Sequence, residues 1–130
     1  MTRYFLTVAL LCSATPLFTQ GAFAQDAPCL RQVNIHDYHP VADNRSLVVI
    51  DRARQRYRVN FVTSCYDLKY KLGLRFQTNG VSRLACVSRG DKVLFRDPAN
   101  PGAGFCIIRD VQVQTPAMDA ADAAAVAAKQ

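Results

Sequence analysis

The alternation of apolar and polar positions along this chain is mostly that of β-strands. Residues 46–51 (Ser-Leu-Val-Val-Ile-Asp) form a continuous apolar run with β-branched residues, whose length predicts a strand buried on both sides. Residues 56–62 alternate: Tyr57, Val59 and Phe61 would face a core, with Arg56, Arg58 and Asn60 on the other side. Residues 33–36 predict an opening strand, separated from the second by the turn-rich stretch 39–44. Further strands are predicted at 74–78, 81–87, 92–96 and 105–113. Asn79-Gly80 tolerates the positive φ of a type I′ turn, which would join 74–78 to 81–87 in a hairpin. Arg89-Gly90-Asp91 reads as the next turn. The stretch 97–104, with two prolines and two glycines, reads as an exposed loop.

Residues 64–76 carry two patterns at once. Ser64 and Asp67 have capping-box spacing, Cys65, Leu68 and Leu72 would share a helical face, and Gly73 would stop a helix. Yet Tyr66, Leu68, Tyr70, Leu72, Leu74 and Phe76 also alternate. A strand of about eleven unbroken residues would be long, which favours a short helix over 65–71. Thr115-Pro116 closes the domain. The Ala-rich stretch 116–130 has helix propensity but no large apolar stripe to dock it, and is expected to be frayed or disordered. The expected fold is mainly β: a small disulfide-stapled barrel or rolled sheet of about seven short strands, with one short helix after the third strand. The OB-type barrel has that order, as do other small barrels.

The N-terminus changes where this domain is expected to work. Arg3 supplies a positive start, an apolar stretch runs from Tyr4 to Phe18, and Ala22 and Ala24 make a small-x-small cleavage pattern, so residues 1–24 read as a signal peptide. The run is short for about 30 Å of hydrocarbon and holds Pro16, which argues against an anchor; no transmembrane segment is expected in the mature form. Cys12 follows Leu11 inside the run, unlike a lipidated cysteine, and would leave with the signal. Cleavage leaves residues 25–130, with one domain at 25–115 and the tail after it. The expected location is periplasmic or secreted.

Four cysteines remain: Cys29, Cys65, Cys86 and Cys106. In an oxidising compartment they predict two disulfides, each contributing about 2–4 kcal/mol. If the first three strands form a meander, Cys29 and Cys65 fall at opposite ends of it, and Cys86 and Cys106 flank the 92–96 strand too far apart to bond. Of the two pairings left, Cys29–Cys106 with Cys65–Cys86 is favoured, because the second bond would close a compact helix–hairpin unit. The spacings of 36, 21 and 20 residues include no C-x-x-C pair, so no metal site is expected.

Charge adds one candidate surface. The chain carries 16 Lys and Arg against 10 acidic residues, all of them Asp, for a net +6. Arg52, Arg54, Arg56 and Arg58 crowd one hairpin end, and guanidinium groups match phosphate and carboxylate bidentately. They are a candidate anion-binding patch, or else a solvated edge whose charges prevent aggregation. Moderate positive charge permits contact with an anionic envelope component; nothing indicates specific nucleic-acid binding or a cofactor. No catalytic residues are assigned. His36 and His39 lie an odd number of positions apart and would point to opposite faces of a strand, and no Gly-x-Ser-x-Gly elbow is present. The leading expectation is a non-enzymatic binding domain. A second reading is a small inhibitor or immunity-type protein that meets a secreted enzyme through the 97–104 loop. A weaker third is a small envelope hydrolase using His36 or His39.

Cys65-Tyr-Asp-Leu, Arg83-Leu-Ala-Cys86, Gly90-Asp-Lys-Val and Cys106-Ile-Ile-Arg-Asp-Val, with the opening Cys29 and the Arg-Tyr-Arg-Val strand, also have a familiar spacing. The chain resembles a family of small exported proteobacterial four-cysteine proteins, domain of unknown function six-four-nine-one, over about residues 29–113. The most specific parts are Cys-x-Asp-Leu and Cys-x-x-x-Gly-Asp-x-Val. Here Val87-Ser88-Arg89 fills the gap before Gly-Asp, and the tryptophans common nearby are absent. The resemblance implies periplasmic residence and a shared disulfide frame, and supplies no activity.

Overall fold

The computed structural model describes residues 28–66, 68, 72–80, 82, 84–96 and 103–130. The expected signal peptide, most of the expected helix at 65–71 and most of the 97–104 loop lie outside these residues. Six strands are found: β1 (Ile35–Pro40), β2 (Ser46–Asp51), β3 (Arg56–Phe61), β4 (Leu72–Gln77), β5 (Lys92–Arg96) and β6 (Ala103–Val113). A helix, α1 (Pro116–Ala127), ends the chain. The strands form one curled antiparallel half-barrel in the order β1-β2-β3-β6-β5-β4. The fold is therefore mainly β, as expected; the described residues hold six strands where about seven were expected, and a C-terminal helix that was not expected, while the helix expected after the third strand lies mostly outside them. The opening strand also lies later than expected: residues 32–34 form a 3-10 turn and β1 runs to Pro40, which an edge strand tolerates.

β6 organises the sheet. Its C-terminal half pairs with β3 and its N-terminal half with β5. The register passes from Phe61↔Ile108 to Asn60↔Asp110, so Arg109 is the extra residue of a β-bulge. The bulge resets the alternation. Before it, Cys106 and Ile108 point to the core and Phe105 and Ile107 outward; after it, Val111 packs on the core and Asp110 and Gln112 lie on the outer face. The core is closed by Leu47, Val49, Val59, Phe61, Val93 and Ile108, all essentially inaccessible to solvent. Tyr57, Val59 and Phe61 point inward as the alternation of β3 predicts. Val48 and Ser46, on the opposite face of β2, are buried as well.

The expected Asn79-Gly80 hairpin does not form. Positive φ occurs at Gly73 and Gly90 among the glycines, and at neither Asn79 nor Gly80. A tertiary carboxylate wins over the local turn preference. Asp91, 2 % exposed, accepts hydrogen bonds from the Asn79 and Ser88 amides, each at 2.8 Å, and so ties Asn79 to the turn at 88–91. β4 then pairs with β5. Where the expected strand at 81–87 is described, residues 84–87 form no strand but carry an isolated bridge between Cys86 and Arg31, beside a hydrogen bond from the Val87 amide to the Leu30 carbonyl at 2.7 Å.

All four expected cysteines are bonded, but the favoured pairing is corrected: the disulfides are Cys29–Cys86 and Cys65–Cys106, with Cα separations of 4.9 and 6.0 Å. The strand order explains this. Because β6 lies beside β3, the chain leaving β3 runs along the N-terminal half of β6; the Val62 amide donates to the Ile107 carbonyl, and Cys65 meets Cys106. The Arg31–Cys86 bridge likewise brings Cys29 to Cys86. The expected pairs, Cys29–Cys106 and Cys65–Cys86, presuppose a hairpin of 74–78 with 81–87, whereas β4 pairs with β5.

Candidate functional site

The four candidate arginines are brought to one end of the β2–β3 hairpin but fall into two groups. Arg52 and Arg54 lie in the turn itself and are exposed. Asp51 builds this turn: its carboxylate accepts from the Gln55 amide at 2.8 Å, its carbonyl from the Arg54 amide at 3.0 Å, and its amide donates to the Gln55 carbonyl. Arg54 closes the turn in the left-handed region (φ 66), where a three-residue hairpin loop usually places glycine. Neither side chain has a hydrogen-bond or ion-pair partner among the described residues. Asp51 also receives the Tyr57 hydroxyl at 3.5 Å. Burial, reinforced by this neighbouring carboxylate, raises the Tyr57 pKa.

Arg56 and Arg58 are covered instead of free. Each ion-pairs with α1, Arg56 with Asp119 and Arg58 with Asp122, at 2.5 Å. The Arg58 side chain is only 13 % exposed. Gln114 donates to the carboxylates of Asp119 (3.0 Å) and Asp122 (3.4 Å). The hydrogen bond from Arg56, then that from Gln114, lower the Asp119 pKa. The expectation of a frayed tail at 116–130 thus gives way to a docked helix. Thr115 caps it by accepting from the Met118 amide, Pro116 occupies its first turn, and Asp119 lies near its positive end. No residue of α1 is buried, so charge pairs rather than apolar packing hold it. Lys129 adds a hydrogen bond to the Ala42 carbonyl at 3.1 Å. Two polar atoms beneath the helix, Arg58 Nε and Gln114 Oε1, have no hydrogen-bond partner among the described residues. A groove of about 640 Å³ runs between α1 and the sheet, lined by His39, Val41, Val48, Ala123 and Val126 among others. The signals that could have revealed the docking are Thr115-Pro116 as a helix start and the i, i+3 spacing of Asp119 and Asp122.

Beneath this cover the outer face is polar across three strands. Asp110 on β6 accepts from Asn60 on β3 at 2.6 Å, Asn60 accepts from the Ser46 hydroxyl on β2 at 3.0 Å, and the Ser46 amide donates to Asp43. Burial disfavours ionised Asp110, but the hydrogen bonds from Asn60, Arg109 and Gln112 and the charge of Arg109 outweigh it and lower the pKa.

The histidines are not gathered into a site. His39 Nε2 lies 3.6 Å from Asp37, with both side chains more than half exposed, and His36 is exposed. Among the described residues no group of three His, Cys, Asp or Glu could hold a metal ion, and no helix is long and apolar enough to cross a membrane.

A family model described as a family of unknown function, DUF6491, matches residues 2–130. The chain belongs to this family. The match runs past the cysteine frame and includes α1, so the helix lies within the family's extent. Nothing among the curated proteins or the solved structures matches the chain. The two disulfides point to an oxidising environment outside the cytoplasm.

Proposed function

We propose that this protein is a non-enzymatic binding domain of the periplasm or of the secreted fraction, and that its β2–β3 turn holds an anionic ligand. The observation that carries the reading is the pair Arg52 and Arg54, two exposed guanidinium groups without a described carboxylate partner on a turn stiffened by Asp51. The left-handed φ of Arg54 adds support: an arginine costs more there than a glycine, which is reasonable where the side chain has a use. Arg56 and Arg58 stand behind the turn and already grip two carboxylates, so the same row has the geometry for anionic oxygen. An anionic envelope component, bearing phosphate or carboxylate groups, fits this chemistry. The test is retention of the disulfide-bonded protein on soluble polyphosphate across a salt series. The wild type should bind at low salt and release as salt rises; Arg52→Ser with Arg54→Gly should abolish retention without loss of fold. Equal retention of the variant would overturn the assignment.

A further inference from the structure

The outer face of β4, β5 and the N-terminal half of β6 is chemically unlike the face that α1 covers. Phe105 and Ile107 on β6 are 53 % and 40 % exposed, and Val62, hydrogen-bonded alongside them, is 54 % exposed. The register sets Leu94 opposite Phe105 and Lys92 opposite Ile107 on β5, then Arg75 and Gln77 opposite these on β4. One sheet face therefore carries an apolar centre bordered by Lys92, Arg75 and Arg96. No ion pair engages these three cations among the described residues. The Lys92 ammonium lies 4.8 Å from the centre of the Phe105 ring, so positive charge and apolar surface share one contact plane. At the β4 margin, Arg75, Gln77, Thr78 and Ser82 help line a cleft of about 370 Å³.

We infer that this face docks on an anionic lipid bilayer, with Phe105 and Ile107 entering the headgroup boundary and Lys92, Arg75 and Arg96 meeting lipid phosphates. An apolar patch with a basic border is the composition that binds such an interface, through buried apolar area and attraction to anionic headgroups together. A second copy of the chain is a poor occupant, because face-to-face pairing would set cation against cation in a protein of net charge +6. The inference does not depend on the Arg52–Arg54 turn, which lies by the opposite end of β6, where Val113 pairs with Tyr57.

The chain has no tryptophan, so a single one reports its own surroundings. Phe105→Trp and Val113→Trp variants of the disulfide-bonded protein are mixed with phosphatidylcholine vesicles, with and without phosphatidylglycerol. Emission from Phe105→Trp should shift to the blue only with the anionic lipid, while Val113→Trp stays unchanged. Phe105→Ser with Ile107→Ser should weaken co-sedimentation about tenfold or more, with its unfolding transition retained. A blue shift at position 113 alone would assign lipid contact to the arginine turn and overturn the inference. So would equal sedimentation of the double serine variant, or a wild-type dimer in solution that this variant abolishes. Loss of polyphosphate retention in the turn variant with vesicle binding unchanged separates this surface from the anion site.

Discussion

The two halves of the outer sheet face share a strand, β6, and meet opposite fates. Past the Arg109 bulge the face is a hydrogen-bonded polar row, Asp110-Asn60-Ser46, beside arginines that draw the carboxylates of α1 onto the sheet. Before the bulge the face shows Phe105, Ile107 and Leu94 bordered by cations, and neither carboxylate of α1 is paired there. A weakly apolar helix can be held where it finds charge partners, since its own packing contributes little. Both carboxylates of α1 are taken up by Arg56 and Arg58, and the apolar face with its cationic border stays uncovered. What is covered and what is bare thus follows from which side-chain row the bulge turns outward.

The largest test of this division removes the bond that ties the end of β3 to the bare half. Cys65→Ser with Cys106→Ser should cost about 2–4 kcal/mol in denaturant unfolding. Peptide mapping of the unreduced wild type should recover Cys29 linked to Cys86, and Cys65 to Cys106; recovery of Cys65 with Cys86 would refute the strand order. Next, Asp91→Ala strips the Asn79 and Ser88 amides of their buried acceptor and should destabilise by about 2–3 kcal/mol, with faster amide exchange at both.

The covered half is tested by Asp122→Ala, which leaves the nearly buried Arg58 without its carboxylate. It should cost about 1–3 kcal/mol and lower the helical circular dichroism signal, while exchange in β4 and β5 stays unchanged. Acid should release the same helix. The pKa of Asp119 is lowered in the folded protein, so its contribution is fully present above the ordinary value of 3.8 and is lost as pH falls through the lowered folded value. Helicity of α1 that persisted at pH below the lowered folded pKa of Asp119 would show that packing, not charge, holds the cover. The smallest effect is expected at the turn: Arg54→Gly should raise stability by up to about 1 kcal/mol by relieving the left-handed backbone, even as it weakens anion retention.

Much of the local structure was legible in the chain. The inward set Tyr57, Val59 and Phe61 follows from the period of a pleated strand, and the Ser46–Asp51 run is buried on both faces as its continuity implies. The failures have a common cause. Asn79-Gly80 is a strong hairpin signal, but Asp91, beyond the reach of a local turn pattern, offers the Asn79 amide a buried carboxylate. The tail lacks an apolar stripe, but its aspartates match arginines more than sixty residues away. Of the arginine patch, Arg52 and Arg54 emerged as exposed charges, whereas Arg56 and Arg58 were engaged from within.

By itself, the sequence determined that the protein is mainly β, which side chains of β3 turn inward, and that four cysteines stand ready to bond, because strand alternation and thiol chemistry are properties of short segments. Only the tertiary structure decided which cysteines meet, which arginines are covered, and which face of β6 is bare. Those outcomes depend on β6 settling between β3 and β5 and on one bulged residue within it. Both bring together residues far apart in the chain, and short-range periodicity carries no record of such neighbours.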